Sequence, residues 1–317
     1  MKTLIIGALG QIGSELAETL YARYGIENVI CADIRPPEKV HIAGEYVVLD
    51  VTDRAGLYAI IEKYEIKILY NLAAILSAKG EQTPEWAWNL NMSGLLNSLE
   101  AAKHFKGLQI FWPSSIAVFG PHSPRQHTPQ YTIMDPNTVY GISKLAGERW
   151  CEYYAQKFGV DVRSIRYPGL IGYKSMPGGG TTDYAVDIYH YAVQHKPYTC
   201  FLSENTYLPM MYMEDAIRAT LELMEAPVEK VINRSSYNLG GISFSPKEIA
   251  ASIQQHISDF AMLYAPDFRQ AIADSWPQSI DDADAQADWG WKGKYDLEAM
   301  TQIMIENIAK QYVTSTI

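Results

Sequence analysis

The sequence predicts an α/β fold, a doubly wound parallel sheet followed by a smaller C-terminal α/β domain, and three observations carry the prediction. Short apolar runs alternate with helical patterns through the first half, a glycine-rich turn joins the first run to the first helix, and after Pro168 the alternation gives way to irregular, tyrosine-rich chain. A buried parallel strand reads as a brief continuous apolar run, whereas a helix repeats with a period of about 3.6 residues. At 317 residues and 48% hydrophobic content, the chain can fill one large α/β core or two domains.

Thr3 to Ile6 is the first apolar run, and the glycine turn leads into the helical pattern Ile12, Leu16, Leu20. Val29 to Ala32 and Tyr46 to Leu49 are the next two strands. Asp53 then caps a helix through Tyr58, Ile61 and Tyr64, because its carboxylate suits the unpaired N–H groups of a first turn. Ile68 to Leu72 is a strand, Trp86 to His104 a long helix, Gln109 to Trp112 a strand, Tyr140 to Phe158 a second long helix, and Val162 to Arg166 a strand. Six or so strands therefore form the sheet. The organisation divides at residues 1–167 and 168–317, with some later segments returning to the sheet. In the second part, helices are predicted over Asp183 to His195, Glu214 to Met224, Pro246 to His256 and Asp296 to Val313. An irregular region over the carboxyl edge of a parallel sheet is where such folds bind substrates. The two long helices carry apolar residues on more than one face, including Trp150, Tyr153 and Tyr154, which predicts a homodimer through a four-helix interface.

Composition narrows the partners. The net charge is −10, and no block of lysine and arginine occurs, which argues against nucleic acid or an anionic membrane and for a small-molecule substrate. The three cysteines, Cys31, Cys151 and Cys200, are scattered without C-x-x-C spacing, and histidines such as His104, His122 and His127 show no ligand spacing, so no metal is expected. No segment reaches the roughly 18 apolar residues of a membrane span, and the first residues already read as a strand instead of a signal peptide. A cytoplasmic location is expected.

Gly7-x-x-Gly10-x-x-Gly13 follows a strand and opens a helix whose first residues are Gln11 and Ile12. The first glycine permits a tight turn, the second lets backbone approach a pyrophosphate, the third lets helix and strand pack closely, and the helix N-terminus favours the phosphate charge. Asp33, at the end of the second strand, is placed to accept from the adenosine ribose hydroxyls and to repel a 2′-phosphate, which selects NAD; Arg35 is the contrary signal. Asp50 and Val51 after the third strand meet the adenine or, equally for the aspartate, cap a helix. Leu72, Ala73 and Ala74 close the fourth strand with small residues that leave room for a dinucleotide. Tyr140 and Lys144, four apart, share a helix face, so the ammonium is expected to lower the phenol's pKa toward neutrality and make Tyr140 a base. Ser115 is expected to donate to a substrate oxygen, and Ser114 to cap a turn.

With these motifs in the order GxxGxxG, Asp33, NLAA, SSIAVFG, YGISK, the chain resembles the extended short-chain dehydrogenase/reductases, built on the Rossmann fold. Within them it looks like the NAD-dependent L-threonine 3-dehydrogenases related to UDP-galactose 4-epimerase, on the segments Arg166-Tyr167-Pro168-Gly169-Leu170-Ile171 and Gly178-Gly179-Gly180-Thr181-Thr182-Asp183-Tyr184-Ala185. The resemblance implies Ser115, Tyr140 and Lys144 as the catalytic set, Tyr167 and Lys144 beside the cofactor, and Ser77, the turn Gly180-Thr181-Thr182 and Trp276 in the substrate pocket. It implies oxidation of the threonine 3-hydroxyl to 2-amino-3-oxobutanoate, the alternative being a UDP-sugar 4-epimerase or dehydratase with tightly held NAD. Arginine is sparse in the second half, at Arg218, Arg234 and Arg269 between residues 170 and 300, which disfavours a diphosphate substrate. Phe119 stands where the family usually has tyrosine.

Overall fold

The computed structural model describes residues 1–39, 42–176 and 178–314. The alternating half forms β1 (Lys2–Ile6), α1 (Gln11–Tyr24), β2 (Val29–Asp33), β3 (Glu45–Val48), α2 (Arg54–Tyr64), β4 (Ile66–Asn71), α3 (Ser77–Gly80), α4 (Pro84–His104), β5 (Gln109–Phe111), β6 (Ser114–Ser115), α5 (Val139–Phe158), β7 (Val162–Arg163) and β8 (Ile165–Tyr167). The remainder forms β9 (Gly169–Ile171), α6 (Tyr184–Val193), β10 (Tyr198–Cys200), β11 (Leu208–Tyr212), α7 (Met213–Glu225), β12 (Tyr237–Asn238), β13 (Ile242–Phe244), α8 (Pro246–His256), β14 (Met262–Tyr264), α9 (Arg269–Asp274), α10 (Ala283–Trp289) and α11 (Leu297–Thr314).

Six strands make the central sheet in the order β3-β2-β1-β4-β5-β7, with every pair parallel. The strand order reverses between β1 and β4, and a crevice opens there at the carboxyl ends of the strands. Alternation along the strands assigns each face its core. Leu4, Ile6 and Ile30 pack with Leu57, Ile61, Leu95 and Leu99 on one side, whereas Ile5, Cys31 and Tyr70 pack with Leu16, Leu20, Ile217 and Leu221 on the other. The second face is thus covered partly by α7, which returns from the second half of the chain. A third core joins Ile116 to Phe119 with Tyr184, Ile188, Phe244, Ile249 and Met304. Among the described residues, no helix is long and apolar enough to cross a membrane.

The predicted strand Val162 to Arg166 is two strands in two sheets. Val162 pairs with Ile110 in the central sheet, whereas Ile165 and Arg166 pair with Tyr237 and Asn238 in a small sheet ordered β12-β8-β6. Ser164 makes the hand-over: its carbonyl accepts from Tyr237 N–H (2.9 Å) and its hydroxyl meets that of Ser236 (3.0 Å). Both flanks are buried, so the run reads as continuous although its partners change.

Candidate active site

The turn after β1 is shaped by what cannot fit in it. Gly7 has φ +78°, and a Cβ there would lie 2.9 Å from the Ala73 nitrogen; a Cβ at Gly13 would lie 2.2 Å from the Gly7 carbonyl oxygen. Helix α1 therefore starts hard against the strands. Gly10 is its N-cap and offers no side chain to the first turn, so the N–H groups there face the crevice without a side-chain partner. Asp33 is buried at the end of β2, where its carboxylate accepts from Leu9 N–H (3.3 Å) and from Arg35 N–H and Nε (3.3 Å each). Arg35 also donates through Nη2 to the Leu9 carbonyl (3.0 Å), so its guanidinium, the group that could have paired with a 2′-phosphate, is bonded to Asp33 and Leu9. An open helix N-terminus, a turn with Gly7, Gly10 and Gly13 and a carboxylate at the end of β2 fit a dinucleotide. Asp50 accepts from Thr52 N–H (2.8 Å) and Oγ1 (2.7 Å) in a local turn, Asp53 caps α2 through Gly56 N–H (3.0 Å), and Val51 is buried against Gly94 of α4.

At the opposite end of the crevice lies a cavity of about 150 Å3. Gln11, Ile12, Leu72, Ala74, Ser77, Ser115, Tyr140, Lys144, Tyr167, Gly180, Thr181 and Trp276 all border it. Gly7, Gly10, Gly13, Asp33, Asp50, Val51 and Ala73 do not; apart from the Asp50–Val51 turn, they lie along the crevice toward β2. Tyr140 stands in the first turn of α5, whose N-cap Thr138 accepts from Gly141 N–H (3.0 Å). Tyr140 and Ser115 border the cavity together, close enough for the Ser115 hydroxyl to favour the ionised phenol. Ser115, not Ser114, caps a turn, accepting from Ala117 N–H (3.2 Å), whereas Ser114 is buried and donates to Glu148 Oε1 (2.6 Å). The cap was expected at Ser114; buried Glu148 behind β6 takes that hydroxyl instead.

Burial reverses the expected electrostatics of the tyrosine–lysine pair. Loss of water pushes the Tyr140 phenol up to about 12, opposed by the Ser115 hydroxyl, and pushes the Lys144 ammonium down to about 7, opposed by Cys151 and Glu148. Lys144 donates to the Pro113 carbonyl and lies 4.4 Å from the Trp112 ring centroid and 5.5 Å from that of Tyr140. The rise of the Tyr140 pKa is thus set by burial, and what opposes it is Ser115 and not the expected Lys144.

Across the cavity, Ser77 starts α3 and its hydroxyl lies 3.2 Å from that of Thr181, both buried. The glycine-rich turn before α6 is held by Asp183, whose Oδ2 accepts from Gly179 and Gly180 N–H (2.7 Å each). Burial raises the Asp183 carboxyl pKa against those donors. Tyr167 turns its hydroxyl away, to Thr220. Thr182, the last residue of the turn implied for the pocket, borders the cavity; Leu76, Pro113 and Asp183 also border it and were not read from sequence as site residues. Asp183 carried a signal, as the acidic residue ending a glycine–threonine run where a helix was expected to begin. Phe119 is fully buried, with the Arg166 guanidinium carbon 5.4 Å from its ring centroid.

A model of the NAD dependent epimerase/dehydratase family matches residues 3–240. The chain belongs to that family. Its sequence is 49% identical to an uncharacterized epimerase/dehydratase of Staphylococcus saprophyticus, with 97% of each chain covered. Its fold is similar to that of the GalE-like L-threonine dehydrogenase from Cupriavidus necator in the holo form, at 58% identity and a TM-score of 0.95, covering 97% of this chain and all of that one. It is likewise similar to a partial consensus L-threonine 3-dehydrogenase, at 59% identity and a TM-score of 0.96, covering 98% of this chain and all of that one.

Proposed function

We infer that this chain oxidises the 3-hydroxyl of L-threonine with NAD, giving 2-amino-3-oxobutanoate. The observation that carries the reading is the 58% identity, over nearly the whole chain, with an L-threonine dehydrogenase. The cavity supports it, being of amino-acid size and presenting the hydroxyls of Ser77, Ser115, Tyr140 and Thr181.

The turn Gly7 to Gly13 with the start of α1 would hold the pyrophosphate, and Asp33 the adenosine ribose. When bound, NAD supplies the acceptor for the hydride that leaves the substrate's Cβ. Ser115 Oγ donates to the substrate oxygen and fixes its direction, and Tyr140 Oη takes the hydroxyl proton. With the ammonium near 7 and the phenol near 12, the pair loses its first proton close to neutrality. Above that pH the remaining proton is held by Nζ or by Oη, and the form with the proton on Nζ is the working base. In that form the Lys144 ammonium stands beside the phenolate as its counter-charge, 5.5 Å from the Tyr140 ring centroid. Ser77, Gly180, Thr181 and Trp276 would line the substrate, and Asp183 holds the turn that carries two of them.

The diphosphate of a UDP-sugar is a poor match to this site. Arg218 pairs with Asp215 (2.7 Å) and Glu222 (2.8 Å), Arg234 with Asp161 (2.8 Å), and Arg269 with Asp267 (2.6 Å), and none borders the cavity. We assign residues 1–167 to dinucleotide binding and 168–317 mainly to substrate, with α7 and β12 returning to the first unit. Trp86 and Trp88 on α4 and Ile142, Trp150 and Tyr153 on α5 are exposed apolar side chains, which supports a dimer through these helices; a cytoplasmic location is part of the same proposal. Light scattering of the wild type should give twice the monomer mass, and of Trp150→Glu the monomer mass.

Absorbance at 340 nm with NAD and L-threonine tests the activity, run beside L-allo-threonine, L-serine and NADP. Growth that requires threonine and NAD is the expected result. Silence with NAD binding intact would overturn the assignment and make UDP-galactose the next substrate.

A further inference from the structure

Behind the cavity lies an ion pair that the reaction as described does not use. Glu148 and Arg166 are both buried, and Glu148 accepts from Arg166 Nε through Oε1 (2.8 Å) and from Nη2 through Oε2 (2.7 Å). The same Oε1 accepts from Ser114 Oγ (2.6 Å). Arg166 is held in turn by the Gln130 carbonyl and Asn238 Oδ1 (2.9 Å each), with Phe119 against its guanidinium.

The chain positions of these groups give the pair its meaning. Glu148 is one helical turn past Lys144 on α5, so the two face the same way. Ser114 precedes Ser115 on β6, and β6 pairs with β8 in the register Ser114 to Arg166 and Ser115 to Tyr167. One carboxylate therefore ties the helix of Tyr140 and Lys144 to the strand of Ser115. Burying two charges is expensive, and a buried pair adds little stability over apolar packing. Its bidentate geometry instead imposes a fixed distance and direction.

We propose that Glu148 is a positioning residue, which sets the strand of Ser115 against the helix of Tyr140 and places a negative charge behind Lys144. The proposal rests on the catalytic roles assigned above. Cys151 and Glu148, both on α5, favour the charged form of Lys144 against the burial that lowers it. Removing the carboxylate leaves Lys144 less basic, so the shared proton moves from Nζ toward Oη and less phenolate remains.

Glu148→Gln is the first test, with Glu148→Gln/Arg166→Gln beside it so that no unpaired charge is left buried. Two readouts are followed: the titration of 13C-labelled Lys144 by NMR, and the pH profile of kcat/KM. In Glu148→Gln Lys144 should titrate about half a pH unit or more lower, the rising limb of the profile should move down with it, and the plateau should fall about threefold or more while acid-side rates are spared; in the double variant, which removes both charges, the shift should be smaller and the plateau should still fall. A loss of Tm with both the titration and the limb unmoved would reduce the pair to a structural role and overturn the proposal. Ser114→Ala tests the tie to the strand and leaves the ion pair in place: kcat should fall about fivefold at every pH, with KM for NAD unchanged. An unchanged kcat would overturn that part. A wild type that forms no NADH from threonine would sink the substrate assignment, and the Lys144 titration would still decide the role of Glu148.

Discussion

Ser77 and Thr181 join at the wall of the cavity, their hydroxyl oxygens 3.2 Å apart. One opens the short helix after β4 of the central sheet and the other lies in the glycine-rich turn before α6, so this hydrogen bond spans the two halves of the chain at the substrate cavity. A substrate carrying a carboxylate and an ammonium meets both hydroxyls at once.

Thr181→Val keeps the shape and removes the hydroxyl. The KM for threonine should rise about tenfold, with kcat changed less and KM for NAD unmoved. Steady-state kinetics with each substrate varied in turn checks this, and an equal rise in both KM values would place Thr181 outside the substrate pocket.

Tyr140→Phe removes the proton acceptor, and Ser115→Ala removes a donor. The first should lower kcat about 10³-fold or more and the second about 10²-fold, both with NAD affinity retained by titration calorimetry. Retained turnover in Tyr140→Phe would take the phenol out of the mechanism.

The pH profile follows from the pair that burial has shifted. With Lys144 at about 7 and Tyr140 at about 12, kcat/KM should climb with unit slope to about pH 7 and then level. Lys144→Met leaves only the phenol, whose basic form grows with pH. The levelling near 7 should disappear, and the climb should continue to at least pH 10. A plateau retained near 7 in this variant would mean that Lys144 does not share the proton.

Gly13→Ala puts a methyl group 2.2 Å from the Gly7 carbonyl, where only a shift of backbone can relieve it. Overpacking of this kind costs about 1–3 kcal/mol, so Tm should drop and NAD affinity should weaken with it. A variant with wild-type Tm and affinity would show that α1 can retreat from the turn.

Glu15, on α1, has its carboxyl pushed up by burial to about 7, with Lys174 opposing and Glu18 and Glu214 adding to the rise. The folded chain then binds this proton more tightly than the unfolded one between the ordinary value of 4.5 and about 7, and its stability falls as pH rises through that window. Glu15→Gln lacks the titration. Its Tm should match the wild type near pH 4 and exceed it at pH 8, by scanning calorimetry at both values; equal Tm at pH 8 would refute the burial of a charge there.

The sequence by itself determined the parallel sheet, the glycine turn, Asp33 and the tyrosine–lysine face of α5. Each of these is written in neighbouring residues, as an apolar run, a glycine spacing or a helical repeat, and local backbone geometry suffices to read them. The tertiary structure alone decided the rest. Only folding brings Ser114, Glu148 and Arg166 together, or sets Ser77 against Thr181, because those partners come from separate segments and no period connects them. The break at Ser164 was hidden for the same reason, since a strand that changes sheets stays apolar on both sides of the change. The charge state of Tyr140 and Lys144 was the sharpest case: their spacing promises attraction, and whether attraction or desolvation wins depends on how much water the surrounding chain excludes.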